Sequence, residues 1–285
     1  MDTRLAHEHE FSVRTAEAAG DLVRAALTRR IEVREKGGHG DVVTSLDLAS
    51  ERLIIDSITR EFPGSLIISE EAGRIAGDAT WTWLIDPIDG TNNLVLDLRV
   101  ISVGITLCHN GVPVVSVVHD PVSGRTSSAV LGQGAWGTSD PTRVPGPARR
   151  KPLLAWIQGY GVDNCDVGAR ALKATLAHNA HRLLELWAPL TCWTMLARGD
   201  IDGIVGYRIG EIDLHAGALI ATESGLSVNE FTGVPFVSRL RGGNEDQCIL
   251  AGTPKIVAGL QRALTFAAQL EDDLATLPVL KMFDI

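Results

Sequence analysis

Short apolar segments that lead into acidic residues restrict the fold of this chain more than any other feature of its sequence. Residues 66–68 form one such segment, shortly before Glu70, and residues 81–85 form another, directly before Asp86. Short runs of this kind predict buried strands. Acidic side chains at the ends of neighbouring strands are typical of active sites in α/β proteins. The pattern therefore predicts an α/β fold with an acidic site along one edge of a sheet.

Helical segments alternate with these strands. Apolar residues within 8–30 share one face at helical spacing. Thr44, followed three residues later by Asp47, resembles a capping box and predicts a second helix that ends near residue 62. The same criteria predict strands at 100–107, 112–118, 153–157, 183–187, 201–207 and 247–251, and helices at 167–178, 191–197, 214–224 and 254–268.

The composition of the chain argues against several classes of protein. The net charge of -9 disfavours non-specific nucleic-acid binding, which needs a basic face. The N-terminus lacks the apolar segment of a signal peptide, and no apolar run reaches the roughly 18 residues of a membrane helix. The 4 cysteines form no CxxC pair, so we expect buried or partly buried thiols in a reducing compartment. We therefore expect a soluble cytoplasmic protein without nucleic-acid or membrane partners.

The acidic loop that begins at Asp86 is the most informative stretch. Asp86 and Asp89 stand three residues apart, Pro87 restricts φ, and Gly90 permits a close approach of the backbone. Two carboxylates this close repel each other unless a hard cation such as Mg²⁺ lies between them. If Gly90 and Thr91 begin a helix, their N–H groups can hold a phosphate. Taken alone, the loop is also compatible with a surface turn whose acids are solvated.

Four sequence blocks, taken together and in order, resemble the inositol monophosphatase family. This family belongs to a superfamily with fructose-1,6-bisphosphatases and 3'-phosphoadenosine phosphatases. The blocks are residues 41–47, 69–71, 83–91 and 212–225, with weaker matches at 120–121, 132–135 and 251–254. The resemblance covers about residues 8–264. It implies a layered α-β-α-β-α sandwich and the hydrolysis of a small phosphomonoester by water that a metal activates.

The resemblance also implies a set of metal ligands. The position of Glu70 binds metal in the family, and that of Asp86 bridges two metal ions. The carbonyl of Ile88 completes one coordination sphere, while Asp89 and Asp213 hold the second ion. The implied cofactor is Mg²⁺, as two or three ions, with Mn²⁺ as a substitute. Inhibition by Li⁺ and a homodimeric assembly are further implied properties.

Catalytic and substrate-binding roles follow from the same resemblance. Glu70 orients the attacking water, Thr91 hydrogen-bonds it, and Asp47 orients Thr91. The residues expected to contact substrate are Asp89, Gly90, Thr91, Asp213, Arg208 and Trp187. The expected partner is thus a small phosphate ester.

Departures from the family pattern leave the substrate open. The position that holds an acid in contact with inositol in animal enzymes falls on Gly206, and Trp187 lies in a segment that usually holds small residues. The alternatives are an inositol phosphate, another sugar phosphate, fructose 1,6-bisphosphate, or a nucleotide such as a nucleoside monophosphate or 3'-phosphoadenosine phosphate. An inactive phosphate-binding module and a calcium-stabilised structural protein are more remote readings.

The length of the chain allows either one large domain or two packed domains, since 45% of its 285 residues are hydrophobic. A segment rich in proline and glycine at 141–147 is the best candidate boundary. We expect residues 1–142 to form an N-terminal α+β portion that carries most metal ligands. Residues 143–285 would form a C-terminal α/β portion that carries Asp213 and the substrate pocket.

Overall fold

Two large β-sheets alternate with three layers of helices in the described part of the chain, which also contains a separate two-stranded sheet. The structure is a computed structural model that describes residues 5–28, 31–36, 41–138, 150–163, 165–240 and 247–275. The first half contains the helices α1 (Ala6–Ala26), α2 (Ser45–Glu61) and α3 (Thr91–Val95), and the strands β1 (Val33–Glu35), β2 (Val42–Thr44), β3 (Ser65–Ser69), β4 (Gly73–Ile75), β5 (Asp78–Asp89), β6 (Ser102–His109), β7 (Val112–Asp120), β8 (Arg125–Val130) and β9 (Gly134–Trp136). The second half contains the helices α4 (Val167–Asn179), α5 (Pro189–Ala197), α6 (Glu211–Glu223) and α7 (Pro254–Ala275), and the strands β10 (Leu153–Gln158), β11 (Arg182–Leu184), β12 (Gly203–Ile209), β13 (Ser227–Glu230) and β14 (Gln247–Gly252).

The first sheet has the strand order β4-β3-β5-β6-β7-β8-β9, and the second has the order β11-β10-β12-β14-β13. In the first sheet, β3 and β5 are parallel, while the other neighbouring pairs are antiparallel. The carboxyl ends of β3 and β5 therefore meet at the same edge of the sheet. This edge carries the acidic residues that the sequence singled out.

Helices α1 and α2 cover one face of the first sheet, where Phe11 and Ile54 pack against Trp83. Burial of a large apolar side chain such as Trp83 stabilises the fold by roughly 1.5–3 kcal/mol. Helices α5 and α6 lie between the two sheets. On one side Leu219 packs with Val118 of the first sheet.

The remaining contacts complete the layers. Trp193 of α5 packs with Ile204 of the second sheet. Leu172 of α4 and Leu260 of α7 pack with Val205 on the outer face of that sheet. The order is thus helix, sheet, helix, sheet, helix, which confirms the predicted layered α/β sandwich.

Most predicted elements are present with shifted ends. The capping box is confirmed, since the Thr44 side chain accepts from the helix backbone and the Asp47 side chain accepts from the Thr44 N–H. The predicted strand at 183–187 is shorter, because β11 ends at Leu184. Helix α6 begins at Glu211, so Asp213 lies in its first turn rather than before it.

Several predictions are wrong or concern residues outside the described ranges. The strands β8 and β13 were not predicted, because their polar and small residues give no clear apolar alternation. Cys165 is exposed, contrary to the expectation of buried or partly buried thiols. The candidate boundary at 141–147 lies outside the described residues. None of the described helices combines the length and apolar character needed to cross a bilayer.

Candidate metal centre

Glu70 and Asp86 leave two adjacent parallel strands side by side. Ser69 pairs with Ile85 across β3 and β5, and the Glu70 N–H donates to the Ile85 carbonyl at 3.1 Å. The next residue on each strand is therefore delivered to the same edge. This geometry follows from the two apolar segments that the sequence identified as strands.

A β-bulge turns Asp89 towards the same side as Asp86. Asp86 pairs with Gly104 and Asp89 pairs with Ser102, so three steps along β5 match two steps along β6. In a regular strand, residues three apart point to opposite faces, and one extra residue restores the common direction. Pro87 suits this position because it has no N–H to lose from the ladder. The expected loop is thus the bulged end of a strand, not a separate turn.

Asp213 reaches the same point from the other half of the chain. Carboxylate oxygens of Asp86, Asp89 and Asp213 all lie within 4.8 Å of one another. Asp213 occupies the first turn of α6, where the helix dipole favours a negative side chain. Glu70 lies outside this three-acid cluster but lines the same cavity.

Burial and mutual repulsion strongly perturb these acids. Burial, with the charges of neighbouring acids, raises the pKa of both Asp86 and Asp213 well above the ordinary value. Burial raises the pKa of Asp89 to about 7, although hydrogen bonds to its carboxylate oppose the shift. Desolvation also raises the pKa of Glu70. Such a group of carboxylates is ionised together only when a positive charge compensates them.

The donor set fits a hard divalent cation. The Oδ1 atom of Asp86 is buried and has no hydrogen-bond partner among the described residues. Buried polar atoms are normally hydrogen-bonded, so an orphaned carboxylate oxygen needs a specific explanation. Oxygen ligands from carboxylates and backbone carbonyls are those that Mg²⁺ and Ca²⁺ prefer. The backbone carbonyl of Ile88 stands between Asp86 and Asp89 in sequence and its residue lines the same cavity.

Thr91 and Asp47 form a buried pair beside the acids. The Thr91 Oγ1 atom lies 2.7 Å from Asp47 Oδ1 and 2.9 Å from the Ile88 carbonyl oxygen. The other oxygen of Asp47 accepts from the Thr44 N–H at 2.8 Å. Burial raises the pKa of Asp47, while the hydrogen bonds from Thr44 and Thr91 oppose the rise. The pair is therefore held in one orientation from both ends.

Asp89 is held equally firmly. Its Oδ2 atom accepts from Ser102 Oγ at 2.8 Å and from the Thr191 N–H at 3.0 Å. Thr191 belongs to α5, so this carboxylate links the first sheet to the middle helical layer. Neither partner was identified from the sequence, because both lie far from Asp89 along the chain.

Gly90 is required by the backbone at the start of α3. Its φ of 88° lies in the left-handed region, and a Cβ there would lie 2.6 Å from the Val100 carbonyl oxygen. A short helix does begin here, since Gly90 is the N-cap of α3.

Lys36 contacts two acidic residues at this edge, although nothing in its sequence context pointed to it. Its Nζ atom lies 3.3 Å from Glu70 Oε1 and 2.8 Å from Glu71 Oε1. Burial lowers the pKa of Lys36, but the charge of Glu70 and the hydrogen bond to Glu71 outweigh it and raise the pKa above the ordinary value. Lys36 thus places a positive charge against one of the acids.

A cavity of about 420 Å³ opens in front of the acids. Trp187 and Arg208 line it, and each has a positive φ, 47° and 50° respectively. Arg208 lies where the register of β12 is irregular, between Gly206 and Ile209. Its Nη1 atom lies 3.7 Å from Asp166 Oδ2. Other lining residues, which the sequence did not single out, are Asp41, Gln158, Tyr160 and Glu211.

Gly206 does not line this cavity, contrary to the expectation from the family pattern. A Cβ there would contact Ile209 and Ile249 side chains at 2.8 and 3.0 Å, so the position faces the core. Gly206 pairs in regular register with Ile249, and the alternation along β12 directs it to the same face as the core residue Ile204.

Comparisons with known proteins point to one family. A family model described as "Inositol monophosphatase family" matches residues 5–264. A Thermotoga maritima protein named fructose-1,6-bisphosphatase/inositol-1-monophosphatase is 30% identical over 224 residues, which cover 79% of this chain and 85% of that protein. The Escherichia coli K12 protein named Nus factor SuhB is 30% identical over 263 residues, covering 88% and 92%. A solved Thermotoga maritima inositol monophosphatase has a TM-score of 0.78 and 25% identity, covering 93% of this chain and 99% of that one.

Proposed function

The chain belongs to the inositol monophosphatase family and is a phosphoric monoester hydrolase, and we propose that it hydrolyses a small phosphate ester with Mg²⁺ as its cofactor. The cluster of Asp86, Asp89 and Asp213, with a buried and unpartnered oxygen on Asp86, is the observation that carries this proposal. The family is metal-dependent, and the orphaned oxygen supports a metal site in this chain. We propose Glu70, Asp86, Asp89, Asp213 and the Ile88 carbonyl as its ligands.

Bound cations would supply positive charge to the phosphate and lower the pKa of a water molecule at the site. The attacking water would be oriented by side chains of this chain. Glu70 accepts a hydrogen bond from the attacking water and orients it. Its position is supported by Lys36, whose charge lies 3.3 Å from its carboxylate.

Thr91 and Asp47 are proposed to hold the same water. The Thr91 hydroxyl hydrogen is directed to Asp47 or to the Ile88 carbonyl. A lone pair of the Thr91 oxygen is then available to accept a hydrogen bond from water in the cavity. Because Asp47 is fixed by Thr44 at its other oxygen, the Thr91 hydroxyl keeps one orientation. Gly90 allows the chain to approach the phosphate without a side chain in the way.

The substrate is proposed to be an inositol phosphate or a related sugar phosphate. A cavity of about 420 Å³ is in the range of sites for small organic molecules. Trp187 offers an apolar face for a ring, and Arg208 is the only cation among the described residues that line the cavity. Arg208 favours one second candidate, a sugar bisphosphate whose other phosphate would contact the guanidinium. The name of the Thermotoga relative includes both activities.

A phosphate-release panel with Mg²⁺ tests the proposal. It covers inositol monophosphates, sugar phosphates, fructose 1,6-bisphosphate, nucleoside monophosphates and 3',5'-bisphosphates. We expect release from at least one sugar or inositol ester, and none from the same esters after chelation of the metal. Release from nucleotides alone would overturn the proposed substrate class. Release from no ester would favour a phosphate-binding module without activity.

The other properties implied by the family are proposals with simple tests. Mn²⁺ should replace Mg²⁺ in the release assay, and Li⁺ should inhibit it. Sedimentation at increasing protein concentration tests the proposed homodimer.

We also propose that nucleic acid is not a partner, on the basis of the net charge of -9. The name Nus factor of the Escherichia coli relative points the other way. Titration of labelled RNA with this chain at low salt decides between them, and saturable binding would overturn the proposal.

A further inference from the structure

One face of α2 carries three buried polar residues. Asp47, Ser50 and Glu51 are exposed by only 1%, 0% and 6%. Spacings of three and four residues place them on the same side of the helix. Polar side chains this deeply buried need hydrogen-bond partners, and a core position would otherwise favour an apolar residue.

Glu51 holds the segment that surrounds Glu70. A single oxygen of its carboxylate, Oε1, accepts from the Glu71 N–H at 3.2 Å and from the Ala72 N–H at 2.8 Å. The Ser69 hydroxyl donates to the same oxygen. The residues on both sides of Glu70 are therefore tied to α2. The segment cannot move away from α2 without breaking these three bonds.

Ser50 holds the bulge that carries Asp86. Its hydroxyl donates to the Pro87 carbonyl at 2.8 Å. Pro87 lies directly between Asp86 and Ile88, inside the irregular part of β5. The third residue of this face, Asp47, contacts Thr91 at 2.7 Å. One turn of α2 thus touches three separate segments of the acidic site.

We propose that Ser50 and Glu51 are positioning residues that hold the metal-binding segments of β3 and β5 in their mutual arrangement. The inference rests on the proposed function. Residues that orient metal ligands without touching the metal commonly change metal affinity or activity by about 10- to 100-fold when they are replaced. A purely structural role would lower thermal stability and leave the metal affinity of the folded protein unchanged.

Two variants of Glu51 separate these roles. Glu51→Ala removes all three hydrogen bonds, so calorimetric titration of the substrate-free protein with Mg²⁺ should show an affinity about 10- to 100-fold lower. Glu51→Gln keeps an oxygen that can accept the same bonds and should recover most of the loss. The exposed Glu61 on the same helix provides the control Glu61→Ala, for which we expect wild-type affinity. Wild-type Mg²⁺ affinity in folded Glu51→Ala would overturn the inference.

If Glu51→Ala does not fold, a pair of serine variants tests the same inference. Ser50→Ala removes one hydroxyl that bonds to β5. Ser57→Ala removes one that bonds within α2, at the Leu53 carbonyl. We expect weaker Mg²⁺ binding and a higher Mg²⁺ half-saturation in phosphate release for Ser50→Ala only. Equal affinities for the two variants would overturn the role of Ser50.

The outcomes distinguish this inference from the proposed function. A wild-type protein that binds Mg²⁺ but releases phosphate from no ester contradicts the phosphatase proposal, while the calorimetric comparison still tests the positioning residues. A wild-type protein that hydrolyses an ester, with variants of unchanged Mg²⁺ affinity, contradicts the positioning role alone.

Discussion

Two walls of the same cavity hold their side chains in opposite ways. The metal wall consists of Asp86 and Asp89 at the edge of the first sheet, and the recognition wall consists of Trp187 and Arg208. Asp86 and Asp89 are each exposed by only 3%, whereas Trp187 is exposed by 59%. The metal wall is tied to α2, β6 and α5 by hydrogen bonds. Among the described residues, Arg208 forms one ion pair, with Asp166 at 3.7 Å, and its side chain is half-exposed.

The difference indicates that the two walls have separate functions within one cavity. Groups that stabilise developing charge must be preorganised, because reorganisation during the reaction adds to the barrier. Groups that select the substrate can be exposed and can differ between relatives without disturbing the chemistry. The positive φ angles of Trp187 and Arg208 are compatible with this view, since sparsely populated backbone conformations cluster at binding sites.

The strongest test of the division is Asp86→Asn. We expect kcat to fall by at least about 10³-fold, since the variant removes a charge from the metal site. The melting temperature of the metal-free protein should not fall, because the pKa of Asp86 shows that burial disfavours its charged form. Phosphate release and thermal melts measure the two effects. The exposed Asp97 provides the control Asp97→Asn, and full activity of Asp86→Asn at saturating Mg²⁺ would contradict the assignment.

The next largest effect is the pH dependence of the stabilisation by Mg²⁺. Asp89 has a pKa of about 7 in the fold against an ordinary value of 3.8, so the metal-free fold binds more protons than the unfolded chain between these values. The contribution of Asp89 to stability therefore falls as pH rises through this window. A metal that binds the ionised acids offsets the loss, by about 2.7 kcal/mol at 100 times its Kd.

The rise in melting temperature on adding Mg²⁺ should thus grow as the pH increases towards and through about 7, the pKa of Asp89. Comparing melts with Mg²⁺ and with chelator at each pH cancels the contributions of His9 and His119, whose pKa values burial lowers. A rise that shrinks as the pH increases would contradict the raised pKa values of the acids.

A smaller effect is expected on the recognition wall. Arg208→Gln should raise KM for a sugar bisphosphate about tenfold, which corresponds to the loss of one charge-assisted hydrogen bond. KM for a sugar monophosphate, kcat and the melting temperature should change little. The exposed Arg182 provides the control Arg182→Gln. An equal rise in KM for both substrates would show that Arg208 does not bind a second anionic group.

The smallest effect is expected for Trp187→Ala. Loss of a ring contact should raise KM about two- to fivefold. Stability should not fall, because the side chain is mostly exposed. Steady-state kinetics and a thermal melt suffice. A large loss of kcat would break the comparison, since it would place Trp187 among the groups that support the chemistry.

The sequence predicted the parts of the site that depend on local pattern. The apolar segments before Glu70 and Asp86 were identified as strands, and both acids lie at the predicted edge. The capping box at Thr44 and Asp47 was also correct, because capping depends on residues within one helical turn. Lys36, Ser50 and Glu51 were missed. Each acts on a residue far away in sequence, and nothing local distinguishes them from solvated or core residues.

The sequence alone determined the family, the layered α/β architecture and the acids proposed as metal ligands, because these follow from residue types in a fixed order. Only the tertiary structure decided which way those acids point. The bulge in β5 brings Asp86 and Asp89 to one side, and Gly206 faces the core from the regular part of β12 while Arg208, in the irregular part, lines the cavity. A change of one residue in register reverses the side-chain direction along a strand, and strand pairing sets that register.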